Sequence, residues 1–153
     1  MNDSINIQGR VRLQCLDKDG NVKWDTGFIK NTIVNAGRAQ VALLIGQSGT
    51  LFTYLAVGTS STAVNATDTA LNAEISTNGL SRVAGTVSRV TTSVTNDTYQ
   101  VTTTWTATGS STVQEVGVFN AASTGTMLGH ALTGAKSVVN TDLLIGTYQV
   151  QFS

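Results

Sequence analysis

Apolar and polar residues alternate from the start of the chain. Ile5, Ile7, Val11, Leu13 and Cys15 fall on one side, and Asn6, Gln8, Arg10, Arg12 and Gln14 on the other. A period of two marks a strand with one buried face. The turn Asp17 to Asn21, "DKDGN", follows and sits between two alternating runs, a hairpin signal. The returning strand carries Val22, Trp24 and Phe28 and is expected to end near Ile33 and Val34. "NAGRAQVALLIGQSG" (Asn35 to Gly49) then reads as a helix of about three turns. Asn35 is placed to cap it, Gly46 or Gly49 to end it, and Ala39, Ala42, Leu43 and Ile45 to face a sheet.

Strand-like segments dominate from residue 51 onwards. "LFTYLAV" is apolar on both sides, as a central strand would be. "TALNAEI" predicts one or two helical turns with Thr67 or Asp68 as the cap. "SRVAGTVSRVTTSVT", "TYQVTTTWTAT", "TVQEVGVFNAA", "TMLGHAL" and "DLLIGTYQVQF" follow at short spacings, with turns at Asn96-Asp97 and Gly109-Ser110. Trp105 and Phe119 sit in such runs and are expected inside. Many short strands separated by turn signals predict an all-β sandwich or barrel. No repeat and no linker divides the chain, so residues 1–153 are expected to form one domain.

Composition sharpens this picture. Charged residues are 12% of the chain, against about 25% in ordinary soluble proteins. Thr and Ser make up about a quarter, and branched Thr suits a pleated surface. The formal net charge is zero and the nine Lys and Arg residues are scattered. Nucleic-acid binding needs a clustered cationic face and is not expected. No apolar run approaches the ~20 residues of a membrane-spanning helix. The opening residues lack the pattern of a secretory signal. Cys15, the single cysteine, cannot form an internal disulfide and reads as a buried, inert thiol. These features fit synthesis in a reducing cytoplasm. The chain contains no proline, a common means of blunting sheet edges. Its edges are therefore expected to be closed, covered or shared with another chain.

Candidate chemistry is sparse. Asp17, Asp19 and Asn21 begin like a calcium loop, but residue 28, where the bidentate Glu belongs, is Phe. His130 is the single histidine, in the apolar "MLGHALTG". One His and one distant Cys cannot build a zinc site. It reads as a strand-end or core-edge residue. Glu74 and Glu115 are the two glutamates, and Asp17, Asp19, Asp68, Asp97 and Asp142 fall in turn or cap contexts. "AVGTSSTA" (Ala56 to Ala63) follows a strand as a phosphate loop would, but lacks the lysine and second glycine. No catalytic residue, cofactor, metal or small-molecule substrate is expected.

Three frames nevertheless recur as a set: "NTIVNAG" (Asn31 to Gly37) entering the helix, "AVGT…ATDTAL…EI" (Ala56 to Ile75), and "EVGVFN…GTMLGHA" (Glu115 to Ala131). Together they resemble small structural proteins of tailed bacteriophages, those labelled head decoration or tail fibre proteins. The resemblance spans about residues 20 to 152. One departure is Thr62-Ala63-Val64 in a loop where such proteins often carry proline. The resemblance implies a jelly-roll-like β-sandwich that assembles as a trimer and acts by binding the major capsid protein or other virion proteins. It also implies that Glu115 is structural, held by backbone N–H groups or by an arginine such as Arg82 or Arg89. The expected role is a capsid decoration (cement) protein of the virion. The alternative is a tail or head fibre component that binds a host receptor or glycan. Residues 1–6 read as a loose N-terminal arm. Ile5 and Ile7 are its candidate partner-interface residues, docking by strand addition to a neighbouring subunit or the shell.

Overall fold

The computed structural model describes residues 4–153. Two antiparallel sheets pack face to face. The first runs in the order β2 (Val22–Asp25), β1 (Ile7–Leu16), β11 (Leu143–Phe152), β8 (Thr98–Thr106) and β7 (Thr86–Val90), with β3 (Ile29–Lys30) also pairing β1. The second runs β4 (Thr32–Ile33), β10 (Met127–Val138), β9 (Ser111–Phe119), β5 (Tyr54–Gly58) and β6 (Val83–Ala84). The expected all-β sandwich is the architecture found, with a single helix, α1 (Asn35–Gly46), among the described residues.

Alternation places the core as read from the sequence. Val11, Leu13 and Cys15 of β1 are buried beside Leu144, Tyr148 and Val150 of β11, and Val101 and Trp105 of β8 complete that inner face. Leu55, Val57, Val116 and Val118 meet them from the second sheet. Burying each such side chain contributes about 1.5–3 kcal/mol. Trp105 is 3% exposed and its indole N–H donates to the Ser81 carbonyl at 2.8 Å, so no buried donor is wasted.

The second sheet is covered on its other face as well. Ala56 and Phe119 alternate with the inward residues of β5 and β9, and they pack with Val34, Leu71 and Met127 in a separate buried cluster. Leu71 from the segment after β5 and Val34 at the entry to α1 supply this outer layer. The sandwich is thus sealed on both sides of one sheet.

Four expectations are corrected. The returning strand is not continuous. Gly27 adopts a positive φ of 61°, the chain breaks between β2 and β3, and after Asn31 it crosses to the second sheet as β4. Val22 and Phe28 consequently lie exposed. The helix has no side-chain cap from Asn35. Its N-cap is Val34, and the Val34 and Asn35 N–H groups donate to the Leu128 and Ala66 carbonyls instead. The helix also turns a different face inward. A Cβ at Gly37 would lie 2.5 Å from the Leu128 carbonyl oxygen, and only glycine permits that approach. This contact sets the rotation of α1, so Val41 and Leu44 pack inward while Ala39, Ala42, Leu43 and Ile45 stay exposed. Lastly, "TALNAEI" forms turns rather than a helix, for a reason that belongs to the site below.

Candidate functional site

The loop after β5 leaves the sheet at Gly58 and returns alongside it. Thr59 N–H donates to the Ala73 carbonyl, and Ile75 N–H donates to Val57, both at 2.9 Å. Glu115 on β9 lies directly opposite Gly58 and is fully buried. Its carboxylate accepts from the Ala73 N–H at 2.7 Å and from the Asn72 N–H at 3.1 Å. Those are backbone donors that a helix over "TALNAEI" would need, so the carboxylate holds the segment in an open turn. Gly58 allows the approach, because a Cβ there would collide with the Glu115 carboxylate and the Ala73 carbonyl.

His130 on β10 completes the cluster. It is fully buried; Nε2 lies 2.8 Å from Glu115 Oε2, and Nδ1 lies 2.9 Å from Asp68 Oδ2. Asp68 Oδ2 also accepts from the Asn65 N–H at 2.9 Å, backwards along the chain rather than forwards as a helix cap would. Each ring nitrogen lies within hydrogen-bond distance of a carboxylate. The result is a buried clamp linking β9, β10 and the loop. The ring is fully buried with both nitrogens engaged, near the start of β10 and outside both apolar clusters.

A second set of charges ties the neighbouring segments. The Arg82 guanidinium pairs with Glu74 through two hydrogen bonds of 2.9 and 2.6 Å, and donates to the carbonyls of Ala121 and Thr124. It also stacks 3.5 Å over the Phe119 ring. Arg82 therefore serves Glu74, while Glu115 is satisfied by backbone and histidine. On the far side, Lys23 pairs with the buried Asp142 at 2.5 Å. The Cys15 thiol lies 3.5 Å from that carboxylate. Burial, then the nearby Asp142 charge, pushes the thiol up to about 11, which keeps it in the unreactive form. In the hairpin turn, Asp17 Oδ1 accepts from the Asp19 and Asn21 N–H groups, each at 2.9 Å, as a plain turn requires.

The other end of the sandwich is built differently. Between α1 and the inner face of the first sheet runs an apolar groove of about 280 Å³. Leu44, Ile45 and Leu51 form one wall, and Val87, Tyr99 and Phe152 the other. Several of these are open to solvent, Ile45 at 80% and Leu51 at 61%. The strand β7 beside it is an outer strand of its sheet, with one side unpaired among the described residues.

The two arm residues separate here. Ile7 is the first residue of β1, opposite Phe152, and packs against the main core. Asn6 exchanges two backbone hydrogen bonds with Ser153, at 2.6 and 2.9 Å. Ile5 alone is free, 76% exposed, and Met1 to Asp3 lie outside the described residues. The described arm is therefore shorter than residues 1–6 suggested.

The sequence reading missed the clamp. A signal was present: a histidine and a glutamate in otherwise apolar strands must each find a partner once buried. Nothing in one sequence says that residues 68, 115 and 130 meet. No helix of the described residues is long and apolar enough to cross a membrane. No protein-family model matches the chain, and neither a characterised protein nor a solved structure shows significant similarity to it.

Proposed function

We propose that this chain is a structural protein of a bacteriophage virion, a capsid decoration protein that binds the outer shell as an oligomer, a trimer, and stabilises it. One observation carries the reading. The three sequence frames that resemble phage structural proteins converge on a single framework. Val34 comes from the first, Ala56 and Leu71 from the second, and Phe119 and Met127 from the third, and all five pack in one cluster. The clamp from Asp68 and Glu115 to His130 joins the second and third frames beside it. The shared residues build a scaffold for presenting surfaces rather than a reaction centre. Work of this kind rests on many modest interfaces held at several points at once. The fibre alternative has weaker support: a glycan platform uses exposed aromatics, and with Trp105 and Tyr148 buried, Phe28 and Phe152 are the exposed aromatic side chains among the described residues.

Electron cryomicroscopy of intact phage particles tests the proposal. Density for this sandwich on the outer capsid lattice, at a fixed number of copies per capsomer, is the expected result. Density confined to the tail or its fibres would overturn the decoration role.

A further inference from the structure

We infer that the apolar groove between α1 and the first sheet is the socket for the N-terminal arm of a second copy of this chain, with Ile5 as its anchor. The inference rests on the self-assembly in the proposed function, and it names the surfaces that meet.

The socket has two parts. The groove walls are apolar, with Ile45, Leu51 and Val87 partly open to water. A monomer gains nothing by exposing them, and such patches mark contact sites. Beside them β7 presents an unpaired edge among the described residues. A strand added to that edge would make backbone hydrogen bonds and point alternate side chains inward, where Val87 lies.

The plug is chosen by three features. Ile5 is extended, apolar and 76% exposed, and it lies in phase with the inward residues Ile7 and Val11. Charge agrees as well: residues 1–5 contain one charged side chain, Asp3, and β7 contains one of opposite sign, Arg89. Arg89 has no ion-pair partner among the described residues. Geometry then keeps the chain's own Ile5 away from the β7 edge. Going from β1 to β7 crosses β11 and β8, three spacings of about 4.8 Å each. Ile5 stands one residue beyond Asn6, which is hydrogen-bonded to Ser153, and one residue spans only about 3.4 Å. Its own arm cannot bring Ile5 beside β7; a neighbour's arm can. A plug and a socket on different surfaces make a head-to-tail contact, which closes into a ring when the rotation allows. That is the geometry a trimer needs.

The test is a pair of exposed cysteines, Ile5→Cys with Val87→Cys, in the full chain, oxidised at a concentration where light scattering shows assembly. Covalent oligomers on a non-reducing gel are expected from the double variant and from neither single variant. A disulfide within one chain, seen as a faster-running monomer, would overturn the inference, and so would no cross-link in protein that still assembles. In that last case self-assembly stands and only the socket is wrong, whereas scattering from monomers alone would remove both. Removing residues 1–5 is a second reading. Loss of one buried Ile side chain is expected to weaken association roughly tenfold or more with the fold intact by circular dichroism; unchanged association would contradict the assignment.

Discussion

The outer face of the second sheet and the groove end of the sandwich are opposites. The first is polar at its centre yet closed: Glu115 and His130 are fully buried, and each is hydrogen-bonded to groups on other segments. The second is apolar yet open, with Ile45 and Leu51 largely in water. Hydrophobicity alone would assign the two regions the other way round. What separates them is satisfaction: a polar group can be buried when its partners are fixed, and an apolar wall stays exposed when nothing in the chain reaches it. The closed region is expected to set stability, and the open one association.

The largest effect should come from breaking the clamp. Glu115→Ala leaves the buried His130 ring and two partly buried backbone N–H groups without their acceptor, a loss of about 3–5 kcal/mol. That is a large share of the ~5–15 kcal/mol of a typical domain, and urea denaturation followed by tryptophan fluorescence measures it. A loss under about 1 kcal/mol would mean that water or another acceptor reaches the site. Gly58→Ala attacks the same region by crowding it. The added methyl meets the Glu115 carboxylate and the Ala73 carbonyl, and the expected cost is about 1–3 kcal/mol.

The open region should respond in the reverse way. Ile45→Ser and Leu51→Ser replace exposed side chains, so the dilute protein should melt within about 0.5 kcal/mol of the parent. Sedimentation at higher concentration should show weaker association. A large stability loss without a change in association would erase the contrast. The smallest effect concerns acid. The hydrogen bond from Arg12 holds the Asp25 carboxyl down at about 2. Its unfolded value is about 3.9, so the folded state binds fewer protons between the two values. The contribution is complete above about pH 4 and is lost as pH falls towards 2. Asp25→Asn should therefore flatten the acid limb of a stability–pH curve slightly, as expected of a surface pair.

Much of the scaffold was legible from alternation. β1, β8, β9 and β11 fall close to their expected spans, and Trp105 and Phe119 are buried as their runs imply. What was not legible depends on tertiary partners. The face that α1 turns inward depends on Gly37 meeting Leu128, a contact without a trace in helical periodicity. The segment "TALNAEI" has helix-forming residues, yet Glu115, 43 and 42 positions from Asn72 and Ala73, takes their N–H groups. Asp68 was read as a cap because capping is its commonest local use, and its histidine partner lies 62 residues away. Of the two arm residues, Ile7 was committed to the sheet by its pairing with Phe152, a choice alternation alone cannot make.

Hydrogen exchange across the whole chain, measured at low and at high protein concentration, tests the contrast most directly. The amides of Asn72 and Ala73, held by the buried Glu115 carboxylate, should exchange slowly at both concentrations. The outward-facing amides of β7 should exchange quickly in dilute protein and slow by tenfold or more, on the order of 1.4 kcal/mol, once copies associate. Fast exchange at Asn72 and Ala73, or β7 amides indifferent to concentration while the protein assembles, would contradict a molecule closed at its clamp and open at its groove.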